Sequence, residues 1–115
     1  FNHLKKIIIN SSPLIVLFKS KQADILPQLF EEILVPEAVW DEITRTTKND
    51  AAAQQLPTVS WAKKVEEIII TPEVAAWDLG KGESSVLSLS FNYPNYGAIV
   101  DDRAAKKCAK SLGIR

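Results

Sequence analysis

Four places in this sequence set oxygen donors where a folded chain could gather them. Asn10-Ser11-Ser12 follows the apolar run 7–9, and Asp101-Asp102 follows the apolar run 98–100. Glu42 falls inside a segment of helical periodicity, and Glu83 opens another in Leu79-Gly80-Lys81-Gly82-Glu83-Ser84. A carboxylate pair beside an amide and hydroxyls is a donor set suited to a hard cation, which takes oxygen ligands. Helix capping accounts for Ser12 and Asp102 equally well, because hydroxyls and carboxylates are the preferred N-cap groups. It does not account for Asp101, which precedes the cap, and a carboxylate leaving a buried strand is costly unless paired or coordinated.

The elements that must position these residues follow from periodicity. Residues 6–10 are a β-branched run without strict alternation, as expected of a strand buried on both faces of a parallel sheet. Ser11-Ser12-Pro13 then offers a capping hydroxyl and an early helical proline, and Leu14, Leu17 and Phe18 recur at helical spacing. Residues 23–30 read as a short helix interrupted near Pro27, and 32–35 as a short strand stopped by Pro36. In the helix expected over 36–46, Val39 and Ile43 define the apolar face. At ~100° per residue Glu42 lies about 80° from the centre of that face and borders the core, either facing a cleft or as an ordinary boundary glutamate, whereas Asp41 points almost directly away as a solvated charge.

Beyond it, 49–56 is helical, 57–61 is loop, and 65–71 reads either as a strand or as a helix end. A helix over 82–92 carries Val86, Leu87 and Leu89 and closes at the Tyr93-Pro94-Asn95-Tyr96-Gly97 turn. A strand at 98–100 precedes a last helix capped by Asp102, striped by Ala105, Cys108, Ala109 and Leu112, and ended by Gly113. The whole reads as α/β with a mainly parallel sheet. In such a sheet ligands sit beyond the carboxyl ends of the strands, where Asn10 and Asp101 emerge.

Composition removes several classes. With 115 residues, 46% of them apolar and 24% charged, the chain is one globular domain rather than a disordered, collagenous or coiled-coil one. Its longest apolar runs, 7–9 and 14–18, are far shorter than the ~20 residues a bilayer crossing needs. Cys108 is the only cysteine, which excludes an internal disulfide or a cysteine zinc cluster and fits a reducing, cytoplasmic setting. The start lacks the charged-then-apolar order of a signal peptide, and the absence of methionine suggests that the true start lies upstream. The glycines around Lys81 match neither a P-loop nor a dinucleotide fingerprint. His3 has no partner at ligand spacing, and the scattered Trp40, Trp61 and Trp77 read as packing residues rather than a base-stacking platform.

Fourteen Lys and Arg balance fourteen Asp and Glu, so no global charge favours nucleic acid. The balance is nonetheless uneven. Residues 66–83 carry five acids against Lys81, and 102–115 carry five bases against Asp102. Arg103, Lys107 and Lys110 share a helical face by their i, i+4, i+7 spacing, which would position a phosphate backbone or simply form a solvated face.

Taken in order, four blocks resemble a known family. They are Ile7-Ile8-Ile9-Asn10-Ser11-Ser12-Pro13-Leu14-Ile15, Val35-Pro36-Glu37-Ala38-Val39-Trp40-Asp41-Glu42-Ile43, Gly82-Glu83-Ser84-Ser85-Val86-Leu87-Ser88-Leu89 and Ile99-Val100-Asp101-Asp102-Arg103-Ala104-Ala105. Together they look like the PIN-domain family, in particular its small prokaryotic branch related to VapC-type toxins. The resemblance implies a three-layer α/β/α sandwich and a Mg²⁺- or Mn²⁺-dependent endoribonuclease. Its site would be Asn10, where the family usually has Asp, with Glu42, Glu83 and Asp101; Asp102 would adjoin the metal, and Ser12 matches a hydroxyl often found near the first acid. It also implies an RNA substrate, an antitoxin partner, a homodimer, and a single domain over 1–115 that here lacks the family's final strand.

Two other readings compete. A neutral Asn10 removes one site charge, so an impaired PIN-like protein could serve as a protein- or RNA-binding module. A phosphatase of the haloacid-dehalogenase type would need a D-x-D pattern after the first strand, where this chain has Asn10-Ser11-Ser12.

Overall fold

The computed structural model describes residues 5–46 and 51–114. His3 and the start of the helix expected over 49–56 lie outside them. Strand β1 (Lys5–Ile9) is followed by α1 (Ser11–Lys19), α2 (Ile25–Leu29) and β2 (Phe30–Pro36). Next come α3 (Glu37–Asp41), a π-helical turn (Glu42–Thr46), α4 (Ala51–Gln55), a 3₁₀ turn (Leu56–Thr58) and β3 (Ala62–Val65). The chain then forms α5 (Pro72–Ala75), α6 (Lys81–Asn92), β4 (Tyr96–Ile99) and α7 (Arg103–Leu112). No helix among the described residues is long and apolar enough to cross a membrane.

The four strands form one parallel sheet in the order β3-β2-β1-β4. The centre falls to β1 because Ile7, Ile8 and Ile9 are all buried, so both faces of this strand must be covered. The chain steps outward from β1 to β2 to β3, then returns across the sheet to place β4 on the other side of β1. That reversal makes the gap between the carboxyl ends of β1 and β4 a topological switch point, the place where an open α/β sheet offers a crevice.

Two apolar clusters hold the layers. The larger joins Ile7, Ile8 and Ile9 to Leu14 and Phe18 of α1, Leu26 of α2, Val39 of α3, Ile43, Ala52, Leu56 and Val86. Phe18 stacks on Trp61 with ring centroids 6.0 Å apart, locking α1 to the approach to β3. The smaller cluster is Val74, Leu87, Ala105, Cys108 and Ala109, which binds α5, α6 and α7 together. Its burial raises the Cys108 thiol pKa above the ordinary value, leaving an inert core thiol.

Helix α6 contributes Val86 to one cluster and Leu87 to the other, so it is enclosed on both sides. Its buried positions include Gly82, Ser84, Ser85, Ser88 and Ser90, whose small side chains allow close approach. Their polarity is largely answered within the fold: Ser88 Oγ accepts from the Thr71 amide at 3.1 Å, and Ser90 Oγ donates to the Tyr96 carbonyl. A helix held this way is a fixed platform for whatever its first turn presents.

Several expectations change. The third strand is Ala62–Val65 rather than part of 65–71, and the Ile68-Ile69-Ile70 run is unpaired, with Ile69 81% exposed. Helix α5 starts at a Thr71-Pro72 signature, where Thr71 Oγ1 accepts from the Val74 amide. Helix α1 is entered through Asn10 and not capped by Ser12, which lies one turn position inside it and is exposed. Finally, the helix after β2 begins at Glu37 and leaves α geometry at Glu42.

Candidate active site

Parallel pairing aligns Ile9 of β1 with Ile99 of β4, and the Asn10 amide donates to the Ile99 carbonyl at 3.0 Å. The switch point therefore sets Asn10 and Asp101 at neighbouring strand ends. Asn10 occupies the N-cap position of α1 with extended backbone, φ −82° and ψ 170°, yet its side chain makes no capping hydrogen bond. It is 1% exposed, and its Oδ1 has no hydrogen-bond partner among the described residues. An asparagine at an N-cap ordinarily spends that oxygen on the first-turn amides. Leaving a buried acceptor unsatisfied costs about 1–3 kcal/mol, so this oxygen calls for a donor or a cation that the described residues do not supply.

The oxygen faces the first turn of α6. A Cβ added to Gly82 would sit 3.0 Å from Asn10 Oδ1, 3.3 Å from Glu42 Oε1 and 3.4 Å from Val39 Cγ2. Two oxygen donors from different elements thus converge on a position that only glycine leaves open. At Gly80 a Cβ would meet Glu83 Oε1 at 2.6 Å, so the absence of a side chain there lets the Glu83 carboxylate fold over the helix start. Gly82 and Gly80 are needed for space rather than for backbone freedom.

Outside this cradle lies an open cleft of about 490 Å³ lined by Ala38, Asp41, Glu42, Arg45, Gly80, Lys81, Gly82 and Glu83. A smaller cavity of about 200 Å³ shares Ala38, Asp41 and Lys81 with it. Asp41 is therefore not the solvated charge that helical periodicity expects: it is half-buried and lines both spaces. The physical reason is that the ideal 100° step fails here, because α winding ends at Asp41 and π winding begins at Glu42. Glu42 lines the cleft but is more exposed than its neighbour.

The remaining candidates divide. Asp101 is exposed at the carboxyl end of β4 and lines neither cavity. Asp102 caps α7, with Oδ2 accepting from the Ala105 amide at 3.0 Å. Ser12 is exposed on α1, and Arg103, Lys107 and Lys110 are exposed on α7 without lining the cleft. Among the described residues, no three His, Cys, Asp or Glu side chains are gathered closely enough to hold a metal ion. The structure brings Asn10, Glu42 and Glu83 to one helix end, and places Asp101 two residues beyond Ile99 at the end of the neighbouring strand without bringing it into either cavity.

Sequence reasoning set Asp41 aside and overlooked Arg45 and Lys81. Arg45 lies four positions after Asp41, and Lys81 lies between the two glycines that the carboxylates approach. That i, i+4 spacing and that flanking were the available signals.

The donor set fits a hard divalent cation in one respect that can be read from the fold: a buried, unpartnered oxygen faces a carboxylate across a glycine-sized gap. No curated protein matches the chain at a significant level. A family model described as a PIN domain matches residues 6–115. With nearly the whole chain matched, and with a parallel sheet whose switch point gathers oxygen donors at its carboxyl end, the protein belongs to the PIN-domain family.

Proposed function

We propose that this protein is a divalent-metal-dependent endoribonuclease of the PIN type whose site is built on Asn10, Glu42, Glu83 and Asp101. PIN domains are generally nucleases and typically use divalent metals, which supports the coarse part of the reading. The observation that carries the rest is the Asn10 Oδ1 atom, buried without a donor and facing Glu42 across Gly82. Mg²⁺ or Mn²⁺ would be held by Asn10, Glu42 and Glu83, with Asp101 and Asp102 adjoining. When bound, such an ion supplies Lewis-acid stabilisation of phosphate charge and a more acidic bound water.

The chain's own residues do the rest. The enclosed α6 fixes the Glu83 backbone, and the two glycines let the carboxylates approach the helix start. The amide of Asn10 is tied to Ile99, so the donor on β1 and the carboxylate after β4 keep one register. Ser12 would contact substrate near the first donor. The toxin role, with an antitoxin partner, a homodimer and a cytoplasmic setting, belongs to the same proposal by resemblance.

Purified protein incubated with single-stranded and structured RNA and Mn²⁺ is expected to cut internally. EDTA or Asp101→Ala should abolish the cutting; products unchanged by both would overturn the nuclease reading. A second reading, a binding module with an impaired site, is favoured by the neutral Asn10 and by the lack of a gathered carboxylate triad among the described residues. If Asn10→Asp awakens Mn²⁺ binding and cleavage in an otherwise silent protein, the binding reading stands for the natural sequence. If the natural protein already cleaves comparably, it fails.

A further inference from the structure

The cleft in front of the cradle has two cationic walls. Arg45 projects from the π-helical turn and Lys81 from the first turn of α6, and both line the same space as Asp41, Glu42 and Glu83. Both are exposed, and among the described residues neither forms an ion pair. A lysine or arginine at an acidic wall would ordinarily serve the fold by pairing; these two leave their donors for another anion. Lys81 also stands at the amino end of a helix of 12 residues, where the helix dipole adds partial positive charge.

We propose that Arg45 and Lys81 are the residues that position the RNA backbone in this cleft, and that they do so only after a divalent cation has changed the sign of its walls. The inference rests on the nuclease reading and deepens it. Three carboxylates against two cations leave the cleft formally negative by one charge, so a polyanion is repelled from the metal-free protein. A divalent ion held there would make the sum positive by one, leaving Arg45 and Lys81, which line the same cleft, free to act as phosphate donors. Arg45 offers a planar fork suited to two phosphate oxygens, and Lys81 a mobile point charge. The basic stripe of α7 plays no part in this, since Arg103, Lys107 and Lys110 do not line the cleft.

The test is stopped-flow fluorescence anisotropy of a labelled single-stranded oligoribonucleotide, with Mn²⁺ or EDTA, between about 50 and 200 mM KCl, the range over which phosphate contacts are read out. Mn²⁺ affinity and initial cleavage rates are measured on the same samples. Lys81→Met and Arg45→Met should each weaken Mn²⁺-dependent RNA binding about tenfold, the worth of one charge-assisted contact. Each should flatten the log–log salt slope by roughly 0.7, the loss of one phosphate contact on a single strand. KM should rise with kcat nearly unchanged, Lys81→Arg should retain binding, and Mn²⁺ affinity should not fall. The triple variant Arg103→Ala, Lys107→Ala, Lys110→Ala should bind RNA as the natural protein does.

If the natural protein cleaves and binds Mn²⁺ but Lys81→Met and Arg45→Met leave binding and slope unaltered, this assignment is overturned while the nuclease reading stands. If the protein binds RNA in Mn²⁺ through Lys81 and Arg45 yet never cuts it, the assignment stands and the nuclease reading falls. RNA binding that is equally tight in EDTA overturns the metal-gated part.

Discussion

At the amino end of the sheet, Tyr96 donates its hydroxyl to Glu32 at 2.7 Å, and Lys63 pairs with the same carboxylate at 3.3 Å. At the carboxyl end of the same strands, Asn10 holds a buried oxygen with no donor among the described residues. The amino end joins side chains from four strands, whereas the carboxyl end gathers Asn10 with side chains of the helices that follow the strands. The amino end closes its network on itself: Lys6 aligns with both Glu32 and Tyr96 in the strand register and lies 5.8 Å from the Tyr96 ring centroid. The carboxyl end keeps the buried Asn10 acceptor behind Gly82, with carboxylates and two cations lining an open cleft beside it. A fold that satisfies its polar groups at one end and leaves the Asn10 oxygen unanswered at the other makes the second end the place to look for a ligand.

The most disruptive way to probe the contrast is Asn10→Asp. Placing an unpaired carboxylate at a position 1% exposed should destabilise the metal-free protein by about 3 kcal/mol. Saturating Mn²⁺ should restore much of that, because the added ligand charge raises metal affinity. Denaturant melts with and without Mn²⁺ read both effects, and a variant as stable as the natural protein without metal would contradict this view of the pocket. Gly82→Ala comes next. An exposed helical glycine replaced by alanine usually gains stability, but here the new methyl group would fill the gap between Asn10 and Glu42. Mn²⁺ affinity should drop about 10–100-fold, the range seen when groups supporting a metal site are displaced. Unchanged affinity in a calorimetric titration would show that the gap is not used.

At the amino end the expected effects are smaller and need no metal. Tyr96→Phe should cost about 1 kcal/mol, one partly exposed hydrogen bond to a charged group, equally with and without Mn²⁺. The pH dependence follows from the same bond. The Tyr96 hydroxyl, with Lys63 behind it, holds the Glu32 carboxyl below its ordinary 4.5, and Glu32 in turn raises the Tyr96 phenol above 10.0. A depressed carboxylate contributes stability that is present above 4.5 and lost as pH falls below it. A raised phenol contributes stability that is present below 10.0 and lost as pH climbs beyond it. Tyr96→Phe should remove the high-pH limb and blunt the low-pH one in thermal melts; an identical profile would refute the pairing. Lys63→Met is the smallest change, within about 0.5 kcal/mol, since the lysine side chain is 62% exposed.

How far the sequence revealed all this depended on where local pattern and tertiary context agreed. Strand β1 and helix α7 were legible because their apolar residues are buried at the expected periods, and Gly113 takes the left-handed φ of 71° that ends a helix. Asp102 as a cap was legible for the same local reason. Strand β3 was not: its central Lys63 and Lys64 are both exposed, so nothing in Ala62–Val65 looks like an apolar ladder. The Ile68-Ile69-Ile70 run instead leaves 65–71 open between a strand and a helix end, although it pairs with nothing in the sheet.

The site shows the same division. That Asn10 and Asp101 lie at adjacent strand ends could be anticipated from two polar groups after two apolar runs. That Asn10 forgoes its capping bond could not, because a local rule predicts the bond and a long-range contact with α6 overrides it. Asp41 was misplaced because the helix changes winding one residue later, a feature with no local signature. Arg45 and Lys81 were passed over since their significance depends on a cleft formed by elements far apart in sequence.

The proposed role of the carboxyl end of the sheet is that of a divalent-cation site completed by Asn10 and Glu42. Calorimetric titration of Mn²⁺ into the intact protein, beside Glu42→Gln, tests this without any choice of substrate. One saturable binding event in the natural protein, lost or weakened at least about tenfold in the variant, is the predicted result. An isotherm without binding, or one that Glu42→Gln leaves unchanged, would contradict it.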